Sequence, residues 1–182
     1  MRELEKARIE LEHLGIPEKW LPQLYGLIDI EDYKNHIKSR KELIKAGREI
    51  LQVMYKMLKS DDKIIRKEAM KVVERIADTA SIPVAIEMLE DRESEIRWIA
   101  AEALIRFGRE TIDPLLRALI RHGISFYLRQ GAHHVLSSLI NDDDPKELKE
   151  LVHLLKPGLE IPDIIPVYAK HALKEKDSGN PS

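Results

Sequence analysis

The sequence predicts an all-α fold in which pairs of helices stack as a solenoid, and three observations support this prediction. A short phrase, an apolar residue followed by Arg and then by Ala three positions later, occurs three times. Its alanines are Ala69, Ala100 and Ala132, so the period is nearly constant at 31 and 32 residues. The composition, with 34% charged and only 5% aromatic residues, is typical of helices with hydrated outer faces. A period in this range indicates a solenoid, because one helical pair cannot bury its apolar face alone.

The repeated phrase opens with Ile65-Arg66, Ile96-Arg97 and Leu128-Arg129, and its later apolar positions continue at helical spacing. This pattern resembles HEAT repeats, in the short form of about 30 residues found in the phycobilisome-lyase-like group. The resemblance covers roughly residues 50–173. It implies two antiparallel helices per repeat, A and B, and a right-handed α-α superhelix (a HEAT-type solenoid) of about eleven helices.

The same resemblance implies a structural ladder formed by the Arg of each phrase, which are Arg66, Arg97 and Arg129. In that family the Arg commonly meets an acidic residue of the turn between helices A and B. Asp91 precedes Arg97 by six positions and fits the pattern, whereas Ser60 takes the corresponding place in the first repeat. The third turn contains no acid. The third repeat therefore departs from the pattern that the ladder requires.

Residues 1–47 are predicted to form an atypical N-terminal cap of three helices. Apolar residues recur at helical spacing within residues 2–14 and 17–28 and again up to residue 46, and Gly15 and Gly47 follow two of these segments as stop signals. None of the three segments contains the repeat phrase. A solenoid needs such a cap to cover its first apolar face.

Residues 48–175 are predicted to hold four HEAT-like repeats, the last of them degenerate, in one continuous domain with the cap. The fourth has Pro166 in place of the Arg and a longer turn between its helices. The acidic cluster at residues 141–145 is interpreted as the N-terminal cap of the fourth helix A rather than as a calcium loop. The polar tail, residues 176–182, is expected to be disordered.

Charge and composition disfavour several classes of protein. The 30 Lys and Arg against 32 Asp and Glu indicate no general affinity for nucleic acid or for an anionic membrane. The N-terminal residues lack the apolar run of a signal peptide, and no segment is apolar enough to span a bilayer. Together with the absence of cysteine, these features favour a cytoplasmic protein without disulfides.

The outward positions of the B helices carry the candidate binding residues. Helical geometry places three rows on this side, and the rows are Lys67, Trp98, Gln130; Lys71, Glu102, His134; and Glu74, Ile105, Ser137. In the family that the sequence resembles, B helices line the concave side. An exposed Trp98 with Ile105 two turns along would mark a contact site, since Trp is favoured in interaction hot spots. The alternative is that Trp98 folds down as extra packing.

The segment at residues 126–136 departs most from a generic repeat. It contains Tyr127, a glycine inside a helix at Gly131, and the adjacent pair His133 and His134. A glycine inside a helix indicates close approach by either a neighbouring helix or a ligand. Adjacent helical histidines diverge and cannot easily share one ion, and no metal or phosphate motif occurs. No catalytic residue, metal or cofactor is therefore predicted.

The sequence is thus interpreted as a non-enzymatic scaffold or adaptor that binds a protein or peptide through its concave B-helix face. The predicted contact residues are Trp98, Ile105, Tyr127, Gln130, His134, Lys67 and Glu102. The alternative is a lyase-like or other ligand-holding HEAT protein with a small-molecule pocket near Trp98, Tyr127 and His134. Nucleic acid is disfavoured as a partner, and the identity of the partner and the oligomeric state are left open.

Overall fold

A computed structural model of the chain describes residues 3–159 and 162–178. These residues form eleven α-helices and no β-strand, so the predicted all-α fold of about eleven helices is confirmed. The helices are α1 (Glu3–His13), α2 (Leu21–Ile28), α3 (Tyr33–Ala46), α4 (Arg48–Met57), α5 (Lys63–Ile76), α6 (Ile82–Met88), α7 (Ser94–Phe107), α8 (Ile112–His122), α9 (Phe126–Leu139), α10 (Lys146–Leu154) and α11 (Ile165–Ser178).

The chain divides into two compact units, Met1–Ser81 and Ile82–Ser182. The first contains the three N-terminal helices and the first helical pair, and the second contains the remaining three pairs. The predicted cap, the repeat boundaries and the single continuous domain stay predictions. Helix α11 continues to Ser178, so the first three residues of the predicted tail are helical, and residues 179–182 lie outside the described part of the chain.

In the first unit, α2 and α3 pack against each other and both contact α5. Glu68 of α5 is only 1% exposed, although it is charged. The guanidinium of Arg40 donates to its carboxylate, and Nζ of Lys71 lies 3.1 Å from Oε1. A buried carboxylate is tolerated only when it is paired in this way. The pairing fixes α3 against α5.

In the second unit, the B helices α7 and α9 lie side by side. Ala100 of α7 and Ala132 of α9, the small residues of the repeated phrase, are fully buried. Small side chains at these positions allow the helices to approach closely, since interiors are packed to high density. The outward rows lie on the faces of α7 and α9 opposite to these alanines.

The Arg of each phrase donates to backbone carbonyl oxygens of the turn that precedes its own helix. Nη1 of Arg97 lies 2.7 Å from the oxygen of Asp91 and 3.1 Å from that of Arg92. Arg66 and Arg129 contact the carbonyls five and six residues before them in the same way. Because the acceptors are backbone atoms, the third repeat keeps the contact without an acid. The ladder of Arg and acid between repeats stays a prediction.

The acidic cluster before α10 does not cap that helix as the sequence suggested. Pro145 occupies the N-cap position, and no side chain accepts a cap hydrogen bond there. The carboxylate of Asp144 instead accepts from the guanidinium of Arg109 and from the backbone N–H of Asn141. The ion pair with Arg109 competes for the same oxygens that a cap would use.

The last helix packs against both α10 and α8. Helix α11 lies antiparallel along α8, which is the A helix of the third repeat. Gly123, after the end of α8, is adjacent to Ile165, and Nζ of Lys176 lies 2.7 Å from Oδ1 of Asp113 near the start of α8. The long turn after α10 lets the chain cross to this side, where Ala169 and Ala172 are fully buried.

Candidate functional site

Helices α7 and α9 place four of the predicted contact residues around one open cavity of about 360 Å³. These are Trp98, Tyr127, Gln130 and His134. The other lining residues are Leu89, Ser94, Arg97, Ala101, Gly131, His133 and Pro157. The outward rows of the two B helices therefore meet in space, as helical spacing predicted.

Trp98 is exposed and held in place by a side chain of the next B helix. Its side chain is 58% exposed, and its ring stacks on that of His134 with centroids 4.7 Å apart. Nε2 of His134 lies 2.9 Å from Oε1 of Glu102, a distance at which an Nε2–H donates to the carboxylate. Glu102 is one turn after Trp98 on α7. The indole is thus fixed without being buried.

Tyr127 is positioned by Arg97. The guanidinium carbon of Arg97 lies 4.0 Å from the centroid of the Tyr127 ring, and its Nη1 is anchored on the turn carbonyls. A cation over an exposed aromatic face contributes about 0.5–1 kcal/mol. The Phe126 ring meets Tyr127 edge-on at 5.6 Å. The repeat arginine therefore orients one aromatic wall of the cavity.

Gly131 is explained by close packing. A Cβ atom at this position would lie 2.7 Å from Cδ2 of Leu89, which is a buried side chain. Of the two explanations for this glycine, a neighbouring side chain and a bound ligand, the first is sufficient. Leu89 also lines the cavity, so the glycine lets α9 approach the cavity wall.

A second cavity of about 340 Å³ adjoins the first and shares Gln130 and Pro157 with it. Its remaining lining residues are Phe126, Arg129, Leu155, Lys156, Gly158 and Leu159. Sequence reasoning did not assign residues 155–159 to the site. The unusual length of the turn after α10 was the available signal, because long loops in compact domains are often functional.

Three of the predicted contact residues do not line these cavities. Ile105 is half-buried on α7 and lines neither of them. Lys67 belongs to α5 of the first unit and is half-buried there. Glu102 contributes indirectly through its hydrogen bond to His134.

The surroundings of His133 in the cavity wall favour its neutral form. Burial lowers the pKa of the His133 imidazole, and the charges of His134 and Lys156 lower it further. Within residues 3–159 and 162–178, no three His, Asp or Glu side chains converge to hold a metal ion. None of the helices in that part of the chain is long and apolar enough to cross a membrane.

Comparison with known proteins agrees with the repeat pattern. A family model described as HEAT repeats matches residues 50–137 and 82–160, which together cover more than half of the chain. The search of curated proteins found no match to the chain. HEAT repeats generally mediate protein–protein interactions, and the proteins that contain them are typically non-catalytic scaffolds.

Proposed function

Because the chain belongs to the HEAT-repeat family, we propose that it is a non-enzymatic scaffold that binds a protein or peptide through the outward surface of α7 and α9. The observation that carries this proposal is the exposure of Trp98 at the centre of that surface. A ring of this size leaves water when a partner covers it, which supplies a favourable free energy of binding. This surface corresponds to the B-helix face that the sequence indicated.

The binding surface is organised before any partner arrives. The stack on His134 restricts the rotamers of Trp98, and Arg97 restricts those of Tyr127. Each side chain that is ordered only on binding costs about 0.5–1.5 kcal/mol. Aromatic residues that are already held avoid most of this cost. The contacts with His134 and Arg97 therefore favour binding even though they bury little area.

Exposed apolar side chains are concentrated at this surface. In the described part of the second unit, the large exposed apolar residues are Trp98, Ile124, Phe126, Tyr127, Leu159, Ile164 and Val167. Four of them, Trp98, Phe126, Tyr127 and Leu159, line the two adjoining cavities. Clustering of this kind marks contact sites, whereas isolated apolar residues on a surface need no explanation.

The shape of the site supports an extended partner over a small molecule. Small-molecule sites typically enclose about 70–90% of the ligand. Here Trp98, Phe126 and Tyr127 remain 58%, 61% and 43% exposed. A groove with such open aromatic walls is better suited to a peptide or to the surface of another protein.

Affinity purification with the wild type and two variants tests the proposal. Trp98→Ala should lose a partner that both the wild type and Tyr33→Ala retain, since Tyr33 is an exposed aromatic residue of the first unit, outside this surface. With the purified partner, Trp98→Ala should weaken binding by about 2 kcal/mol, or about 30-fold. Equal capture by all three proteins would exclude this surface.

The Trp98→Ala variant should fold normally. It loses the stack on His134 and little buried area, so the free energy of unfolding should fall by no more than about 1 kcal/mol. Urea unfolding followed by circular dichroism measures this change. A loss of several kcal/mol would identify Trp98 as a structural residue.

A further inference from the structure

The two adjoining cavities, which we call the α9 groove, have a positively charged lining. Arg97, Arg129 and Lys156 line them, and none of the lining residues that the structure describes is Asp or Glu. Among the described residues, no carboxylate oxygen lies within 4.0 Å of these three side chains. Arg97 and Arg129 donate to backbone carbonyl oxygens, which do not cancel their charge, so these two side chains and Lys156 are suited to attract carboxylates of a bound molecule.

This charge is local. Residues 82–182 contain thirteen Lys and Arg but seventeen Asp and Glu, so the second unit as a whole is acidic. The α9 groove is therefore a local positive region in a unit whose net charge is negative. They also lie beside the apolar residues Trp98, Phe126 and Leu159, so one short segment could reach both kinds of contact.

We propose that the α9 groove binds an acidic peptide segment that carries an aromatic side chain. This inference rests on the proposed function and names the chemistry of the partner. The aromatic side chain packs on Trp98 and Tyr127, and the flanking carboxylates approach Lys156 and Arg129. Gln130, exposed at the boundary that the two cavities share, offers an amide that can both donate to and accept from a peptide backbone.

The dimensions of the groove fit this occupant. The cavities, of about 340 and 360 Å³, are at the small end of the usual range for binding pockets. Each accommodates one large side chain or a few residues. Because the cavities adjoin, a single extended segment spans both, with its aromatic anchor in the first and its charges at the second.

Single-stranded nucleic acid also combines aromatic stacking with cationic contacts. Two observations favour the peptide. One face of the Trp98 ring is already covered by His134, so fewer aromatic faces remain for successive bases. The three cations are also few for a backbone track, and the surrounding unit is acidic. Nucleic acid is therefore an outcome of the test.

The test uses the full-length ¹⁵N-labelled protein and four probes. The probes are the acetylated and amidated pentapeptides EDFDE, QNFNQ and EDADE, and a twelve-residue thymidine oligonucleotide. The indole N–H signal of Trp98, assigned with the Trp98→Phe variant, reports binding. EDFDE should shift this signal with an affinity about tenfold higher than that of QNFNQ or EDADE, equivalent to about 1.4 kcal/mol. Its binding should weaken as the salt concentration rises.

A matched pair of variants locates the charge contact. Lys156→Glu should weaken binding of EDFDE about tenfold, whereas Lys170→Glu, the same charge change on an exposed position of α11, should leave it unchanged. Lys156→Gln should give an intermediate loss and guards against misfolding of the reversed variant. Equal effects of Lys156→Glu and Lys170→Glu would overturn the assignment of the groove.

The outcomes separate this inference from the proposed function. Equal affinity for EDFDE and QNFNQ would overturn the acidic partner, while leaving Trp98 as an apolar contact. Tighter binding of the oligonucleotide than of EDFDE would overturn the peptide in favour of nucleic acid. If no probe shifts the Trp98 signal, the inference is wrong, and the partner-capture experiment with Trp98→Ala still decides the proposed function.

Discussion

Gly131 shows how a single residue shapes the candidate site. It lies inside α9, where glycine costs about 1 kcal/mol relative to alanine. The buried side chain of Leu89 occupies the space that a Cβ atom would need. Glycine lowers the helix propensity of α9, but it allows α9 to pack closely against the wall of the first cavity. Leu89 and Gly131 should consequently respond to substitution as a pair.

We predict that Gly131→Ala destabilises the protein, because overpacking costs about 1–3 kcal/mol and exceeds the gain in helix propensity. In a Leu89→Val background, the same substitution should be less costly by about 1 kcal/mol. Urea unfolding of the wild type, the two single variants and the double variant measures this coupling. Additive effects would show that the two residues are not in close contact.

At the scale of elements, the repeated arginine joins helix B to the end of helix A in the same repeat. The accepting carbonyls belong to the turn after helix A, where no regular helix supplies a donor, so a guanidinium that reaches them satisfies groups that otherwise need water. Arg66, Arg97 and Arg129 all do this, whatever side chain the turn carries. The recurrence of Arg follows from the recurrence of the backbone turn.

We predict that Arg97→Met and Arg129→Met destabilise the protein by similar amounts, about 1–2 kcal/mol each, because both remove charged donors to backbone carbonyls. Arg117→Met, on the exposed side of α8, should change the free energy of unfolding by less than about 0.5 kcal/mol. Chemical denaturation measures all three. A much larger effect at Arg97 than at Arg129 would instead indicate that the acid in its turn is the main partner.

The pair of Arg109 and Asp144 connects the third helical pair to the fourth and introduces a dependence on pH. Hydrogen bonding by Arg109 holds the pKa of the Asp144 carboxyl below its usual range. A lowered pKa in the folded state contributes stability above the unfolded value, near 4, that is lost as the pH falls through the folded value. The contribution is therefore present at neutral pH and disappears in acid.

We predict that Asp144→Asn lowers the free energy of unfolding by about 1 kcal/mol at pH 7, a modest value because Arg109 is half exposed. The difference from the wild type should shrink as the pH falls below about 4 and vanish below the lowered pKa of the folded state, since asparagine does not titrate. Asp142→Asn, at an exposed position of the same turn, is the control. A difference that persists unchanged at pH 2 would show that the ion pair is not its cause.

At the scale of the whole chain, α11 closes the second unit by covering α8. Its buried positions include Ile165, Ala169 and Ala172. Without α11, the apolar side of α8 that these residues cover would be exposed. Helix α11 therefore contributes to the core of the second unit on the A-helix side.

We predict that Ala169→Asp lowers the free energy of unfolding by about 3 kcal/mol, since it places an unpaired carboxylate in the buried contact between α11 and α8. Lys170→Asp, one residue later on the exposed side, should have little effect. Thermal unfolding of the two variants provides the comparison. Similar melting temperatures would mean that this side of α11 does not pack against α8.

Much of the candidate site could be predicted from periodicity alone. Helical spacing and the repeat period together placed Trp98 and His134 on the same side of successive B helices, and the structure brings their rings into contact. Periodicity could not indicate that Arg97 would orient Tyr127, because that contact depends on the distance between two helices. Ile105 belongs to the third outward row, but it is half-buried and lies outside the cavities, because the outward face of α7 extends beyond the site.

The sequence by itself determined the eleven helices, the phase of the repeats and the outward rows, because these depend on interactions within a helix and between successive turns. Only the tertiary structure decided the path of the chain after α10. That turn is long, so local preferences do not restrict where it leads, and the buried contacts of α11 with α8 select one route. The same route brings Lys156 and Leu159 beside Phe126 and completes the groove.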